Sequence, residues 1–232
     1  MPVLIAESRM AIESLLQNGY HPDQISWLPN FTPLDPPETV EEYVKKYYDP
    51  SDRVVLFVGR ASYEKGGKHL IEAAARLKSS CRIVLITAGP ELEAFQRQAV
   101  SLGTRVQIIP GLSYEKTREW YARASVVVVP SVWLENFCLV GLEAYANMKP
   151  VIGSCTGGIK DWLVDGKTGW FFEMGNSEDL AEKIDMAMSD PKRLEHMGRV
   201  AYQRATEFYS EDQYLPRLMA IYQKAIDAFQ SQ

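Results

Sequence analysis

Positive charge is in short supply in this chain. Across 232 residues, 25 Lys and Arg stand against 30 Asp and Glu, a net charge of −5. The richest cationic stretches, Lys45–Lys46 and Lys192–Arg193, are short and interleaved with acids, so they read as solvated surface. That balance argues against a nucleic-acid footprint and against a polybasic membrane patch. Cysteine is nearly absent: Cys81, Cys138 and Cys155 form an odd set without CxxC or zinc spacing. Such a set fits a reducing cytoplasm better than a disulfide framework. No run approaches the roughly 20 apolar residues that cross a bilayer. The opening MPVLIAESRM has neither the charged leader nor the long apolar segment of a signal peptide. The expectation is a soluble cytoplasmic protein.

Apolar residues are plentiful, at 46%, and they are ordered along the chain. Continuous Val/Ile/Leu runs at 53–58 (RVVLFV), 82–87 (RIVLIT), 105–109 (RVQII), 125–129 (SVVVV) and 150–153 (PVIG) predict strands buried on both faces of a parallel sheet. Between them, 67–77, 91–102, 114–122 and 139–147 carry helical periodicity. The alternation predicts right-handed βαβ crossovers and a doubly wound α/β fold. After Gly169 the character turns to helix upon helix, with Ser177 as one cap, Asp190–Pro191 as a second start, and Ser210–Gln213 as a capping-box match. Trp162, Trp170, Phe171 and Phe172 read as core beneath these helices. The first 30 residues read as strand, helix and strand, too little for a domain and more like the end of one. Residues 31–52, with the proline-dense NFTPLDPPETV, read as an interdomain linker and helix.

Two strand-end loops carry chemistry. The first, Gly59–Gly67, places Arg60 and Lys65 beside a helix start, where unpaired N–H groups also favour an anion such as a diphosphate. Its spacing is neither a Walker A loop nor GxGxxG, and a plain surface turn with two solvated cations is the alternative. The second, Pro130–Ala144, follows the most apolar strand and sets Glu135 in the loop and Glu143 on the helix beyond it. Backbone N–H groups across 137–139 would face an anion there, and a carboxylate just inside the helix suits ribose hydroxyls. An ordinary exposed helical glutamate is the alternative for Glu143. Trp133 lines the crevice or packs. The Thr156-Gly157-Gly158 turn approaches the acceptor side or merely links strand to helix.

Four segments in register, VVLFVGRASYEKGGKHLIEA, IVLITAGPE, VQIIPGLSYEKTREWYARASVVVVPS and ENFCLVGLEAYANMKPVIGSCTGGIKDWLVDGKTGWFF, make the chain from residue 53 onward resemble the C-terminal, donor-binding domain of the retaining family 4 glycosyltransferases. The resemblance implies a GT-B architecture, of which 53–232 is the Rossmann-like donor half with extra C-terminal helices. Residues 1–30 are then a remnant of the N-terminal acceptor domain. It implies that Arg60 and Lys65 hold the donor diphosphate, that Glu135 contacts the donor sugar as the catalytic carboxylate, and that Glu143 binds ribose. Phe137, Cys138 and Leu139 would offer backbone N–H groups, and Gly111–Leu112 would meet the base. No metal and no cofactor are implied, in keeping with the lack of a DxD or His/Cys cluster, and a UDP-sugar is favoured over GDP- or ADP-sugars. The sequence departs from the family in having Asn136 and Cys138 where glycine is frequent. His21, His69 and His196 fall outside its catalytic-histidine pattern, so that histidine and the acceptor site belong to a missing domain or a separate subunit. Peripheral membrane contact of the intact enzyme is compatible with this picture. A binding module without turnover and a nucleotide-sugar epimerase are the rival readings.

Overall fold

The computed structural model describes residues 3–230. At its start, β1 (Leu4–Ala6) and β2 (Ile25–Trp27) pair in parallel around α1 (Arg9–Gln17). Then comes α2 (Pro37–Tyr47), with proline at its first position, where no backbone donor is needed. Ion pairs from Arg118 to Asp35 and from Arg199 to Glu41 fasten this stretch to later helices.

The main sheet has six strands, β3 (Val54–Arg60), β4 (Arg82–Ala88), β5 (Val106–Pro110), β6 (Ala124–Val129), β7 (Val151–Ser154) and β8 (Gly169–Phe172). All neighbours are parallel, and the spatial order is 5-4-3-6-7-8. Because side chains alternate along a strand, β3 sends Val55 and Phe57 into one apolar layer and Val54 and Leu56 into the other. The first layer is covered by α3 (Gly67–Ala74), α4 (Leu92–Ala99) and α8 (Ser177–Ser189). The second is covered by α5 (Tyr114–Arg123), α6 (Leu139–Ala146) and the short α7 (Ile159–Trp162), while α9 (Pro191–Phe208) reaches both. This is the doubly wound, Rossmann-like sheet with extra C-terminal helices that the apolar runs predict.

The edge strand β8 is the element the sequence reading misses. Its four residues, Gly-Trp-Phe-Phe, contain no β-branched side chain, so they read as core rather than strand. Gly169 opens it with φ +152, and a Cβ there would lie 1.8 Å from the Val151 carbonyl oxygen. Only glycine lets the backbones approach that closely. Two helix starts also differ from expectation. Asn176, not Ser177, caps α8 by accepting from the Glu178 and Asp179 N–H groups, while the Ser177 hydroxyl donates to Glu72 at 2.8 Å. Ser210 forms no capping box. Its hydroxyl donates back to the Thr206 carbonyl at 3.0 Å, because only two residues separate α9 from α10 (Glu211–Gln230). Asp190 caps α9 as expected, accepting from the Arg193 N–H.

Trp162 anchors the second layer. It is fully buried, stands edge-on to Tyr145, and donates its indole N–H to the Phe137 carbonyl at 2.6 Å. The ring fits because Gly141 lacks a Cβ, which would come within 2.1 Å of it. Trp162→Phe removes the donor and leaves a buried carbonyl unpaired, and should lower the unfolding free energy by about 2 kcal/mol in urea titrations. An unchanged midpoint would contradict this role. Among the described residues, no helix is long and apolar enough to cross a membrane.

Candidate functional site

From β3 the chain proceeds outward to β4 and β5, and from β6 it proceeds the other way to β7 and β8. The winding therefore reverses between β3 and β6. In open parallel sheets, the carboxyl ends of strands at such a reversal border a crevice. The two loops singled out in the sequence are the two that leave these strands.

They are stitched together. Gly66 has φ +67, and a Cβ there would lie 1.8 Å from the Pro130 carbonyl oxygen, so glycine lets the β3 loop lie directly on the β6 loop. The Val132 N–H donates to the Glu64 carbonyl at 3.0 Å. On the same seam, Lys65 Nζ is 2.7 Å from Glu135 Oε1, which also accepts from the Ser131 hydroxyl at 2.6 Å. Glu135 is only 8% exposed. Burying a carboxylate so far from water is costly without such partners. Among the described residues the ammonium makes no other hydrogen bond, which leaves two N–H donors for a ligand.

Glu143, half-buried on α6, accepts from the Tyr121 hydroxyl at 2.7 Å. Burial, reinforced by the Glu143 charge, pushes the Tyr121 pKa well above its ordinary value, so the phenol stays protonated as a donor. Glu143 is thus half-buried and partnered rather than exposed on the helix. Arg60 lies at the same carboxyl end of β3, but its side chain is exposed and pairs with Glu64. The structure brings Lys65 and Glu135 into contact, while Arg60 pairs with Glu64 instead.

Phe137 is buried against Tyr209, and its carbonyl holds Trp162. Cys138 takes φ +71 and begins α6, which no side chain caps, so the first N–H groups of the helix have no side-chain partner. Leu139 is the first helical residue. Burial, then the Glu135 charge, pushes the Cys138 thiol up to about 12. It is therefore no nucleophile near neutral pH. Iodoacetamide should label the exposed Cys155 well before Cys138, as peptide mapping would show, and preferential labelling of Cys138 would overturn this. Gly111 donates its N–H to the Thr87 carbonyl at the end of β5, and Leu112 packs on the second apolar layer. They stand three strands from β6, about 14 Å at ordinary strand spacing. Among the described residues, no group of three or more His, Cys, Asp or Glu side chains is placed to hold a metal.

Two contributors escape the sequence reading, and a third is only one of its alternatives. Ser131 and Tyr121 hold the two glutamates, and hydroxyl partners of this kind carry no sequence signal beyond proximity. The Gly157-Gly158 turn, which the sequence allows to be a simple linker, clamps the Glu135 backbone: the Gly158 N–H donates to the Glu135 carbonyl at 2.7 Å. Trp133, read chiefly as packing, is instead 65% exposed on the loop.

Comparison with known proteins places the chain in a family. The family model described as Glycosyl transferases group 1 matches residues 40–204. The chain is 30% identical over 224 residues to alpha-maltose-1-phosphate synthase of Mycobacterium tuberculosis, covering 90% of this chain and 56% of that protein. It is 34% identical over 189 residues to D-inositol 3-phosphate glycosyltransferase 1 of Catenulispora acidiphila, covering 75% of this chain and 44% of that protein. Among solved structures, Anabaena HepE in complex with UDP and glucose superposes with a TM-score of 0.79 at 20% identity, covering 99% of this chain and 63% of that one. Sucrose-phosphate synthase of Thermosynechococcus elongatus gives 0.82 at 24% identity, covering 97% and 58%. The chain thus spans about half the length of the curated relatives it matches. With most of the chain aligned at 30% identity or more, the protein belongs to the group 1 glycosyl transferases.

Proposed function

We propose that the crevice between β3 and β6 binds a nucleoside diphosphate sugar, with UDP as the preferred nucleotide, and that the intact enzyme transfers its sugar with retention. The observation that carries this reading is the Lys65–Glu135 pair, which joins the two loops at the winding reversal. A diphosphate seated beside Lys65 meets a cation already fixed by Glu135, with Arg60 and the uncapped start of α6 adding positive potential. Glu135 orients the sugar at its reacting face. Glu143, held by Tyr121, accepts from the ribose hydroxyls, and the backbone at 137–139 supplies further donors. Gly111–Leu112 offers backbone to the base. In the transfer, the bond from the anomeric carbon to the diphosphate oxygen breaks and the acceptor oxygen bonds to the same face. The acceptor proton passes to the departing diphosphate, whose charge Lys65 and Arg60 neutralise. This chemistry asks no metal or cofactor of the chain.

Preference for UDP is supported by HepE, a fold relative solved with UDP and with UDP-glucose. Calorimetric titration of the chain with UDP, GDP and ADP tests the reading. UDP should bind most tightly, and failure of all three to bind overturns it. Glu143→Ala should weaken UDP about tenfold, near 1.5 kcal/mol for a lost charged contact, while leaving pyrophosphate unaffected. Equal weakening of both ligands would remove Glu143 from the ribose.

Residues 1–30 are read as the closing elements of an acceptor-side domain, with 31–52 as the connection to the donor half at 53–232. Ile5, Leu16 and Trp27 are about 40% exposed there. Leu215, Met219, Tyr222, Ile226 and Phe229 form an exposed stripe at helical spacing along α10. These apolar surfaces are what a larger first domain, carrying the acceptor site, would cover.

A further inference from the structure

A cavity of about 520 Å³ lies at the amino ends of β6 and β7, opposite the crevice, between α2, α9 and the turn entering β7. Its size falls within the roughly 300–1,000 Å³ of ordinary small-molecule sites. Two largely buried residues on its wall, Lys149 and Ser125, have polar side-chain groups without a hydrogen-bond partner among the described residues. Lys149 is 5% exposed; its side chain makes no hydrogen bond or ion pair among the described residues and meets the Tyr48 ring, 5.1 Å from its Nζ. Ser125 is 7% exposed and its Oγ has no partner. Met148, at φ +54, fixes the turn that carries Lys149 by pressing its carbonyl against Gly198.

The charges around Lys149 do not balance. Lys45 on α2 and Lys192 on α9 are exposed at the rim and have no carboxylate partner among the described residues. The two carboxylates present, Glu41 and Glu195, are both engaged by Arg199. Four cations against two carboxylates leave a surplus of two positive charges when Lys149 is protonated. Burial lowers the Lys149 pKa to about 7, and no carboxylate among the described residues pairs with it to hold its charge. A buried amine without a partner is costly to keep, and this one faces a cavity.

We propose that this cavity binds a small phosphate monoester, with Lys149 contacting the phosphate from within and Lys45 and Lys192 from the rim. A monoester carries nearly two negative charges near neutral pH, which matches the surplus, and ammonium groups suit phosphate as compact point charges. Val44, Met148 and Leu194 on the remaining wall suit a carbon body that inorganic phosphate lacks. The site shares no residue with the crevice and does not depend on how the crevice is read.

Titration calorimetry of the full chain with glucose 6-phosphate, inorganic phosphate and glucose tests it. The sugar phosphate should bind more tightly than inorganic phosphate, and glucose should not bind. At about pH 8 a lysine that titrates near 7 is mostly neutral, so binding should take up protons as Lys149 becomes charged, seen as a dependence on buffer ionisation enthalpy. Lys149→Met should abolish that uptake and weaken binding at least tenfold, the value of a charge-assisted contact. This variant should melt no lower than the parent, because it removes a buried unpaired amine. Lys192→Ala, at an exposed position, should weaken binding severalfold and serves as the second variant. Absence of binding at millimolar phosphate ester, unaltered binding in both variants, binding without proton uptake, or displacement by UDP would each overturn the proposal.

Discussion

Lys65→Met is expected to weaken UDP binding by about 30-fold or more, close to the 2–3 kcal/mol of a charge-assisted contact in a partly desolvated site. Two effects add. The diphosphate loses its nearest cation, and Glu135, only 8% exposed, is left with a hydroxyl from Ser131 but no counter-charge. An uncompensated carboxylate beside the phosphates repels them as well. Glu135→Gln isolates the second effect. It keeps the shape, frees Lys65 for the ligand, and should leave UDP binding near the parent while abolishing transfer in the intact enzyme. The double variant should bind UDP better than Lys65→Met alone, because the orphaned charge is gone. That non-additivity is the signature of a direct pair. If Lys65→Met binds UDP within about twofold of the parent, the pair does not serve the diphosphate.

Both halves of that pair are legible in the sequence, because each lies in a loop at the end of a strand with a continuous apolar run. Val54–Val58 and Ala124–Val129 have no polar face to expose, so both must lie inside a sheet covered on two sides. Polar residues just beyond such strands are then placed at the sheet edge by topology alone. Less legible is which polar groups meet. Tyr121 and Glu143 come together only because α5 and α6 cover the same face of the sheet, 22 residues apart in sequence. Arg60 and Lys65 look equivalent in the sequence, yet Glu64 draws Arg60 outward while the left-handed turn at Gly66 swings Lys65 onto the neighbouring loop. β8 is hidden for the opposite reason: it is aromatic and short, and its strand character comes from the backbone of Val151 rather than from its own residues. The unsatisfied Lys149 has no sequence signature, since lysine before Pro150 reads as surface until α2 and α9 close over it.

Gly157→Ala should both destabilise the fold and loosen the crevice, and the clamp on Glu135 explains the two together. Gly157 has φ +48, and a Cβ there would fall 2.3 Å from the Glu135 carbonyl oxygen and 2.8 Å from its nitrogen. The left-handed backbone alone costs alanine about 1–2 kcal/mol. The clash must be relieved in addition by moving backbone, either at Thr156–Gly158 or at Trp133–Glu135. Either shift breaks the 2.7 Å bond from the Gly158 N–H to the Glu135 carbonyl and takes the carboxylate away from Lys65. Gly166 provides the control. It has φ +71, but a Cβ there would meet nothing within 4 Å, so Gly166→Ala incurs the backbone strain and no clash. With roughly 2–4 °C of melting temperature per kcal/mol for a chain of this size, Gly166→Ala should lower the melting temperature by about 4 °C and leave UDP binding intact. Gly157→Ala should lower it by about twice as much and weaken UDP binding as strongly as Lys65→Met. Matching melting curves for the two variants would mean that the turn does not hold Glu135, and the carboxylate's position would then have to come from Lys65 and Ser131 alone.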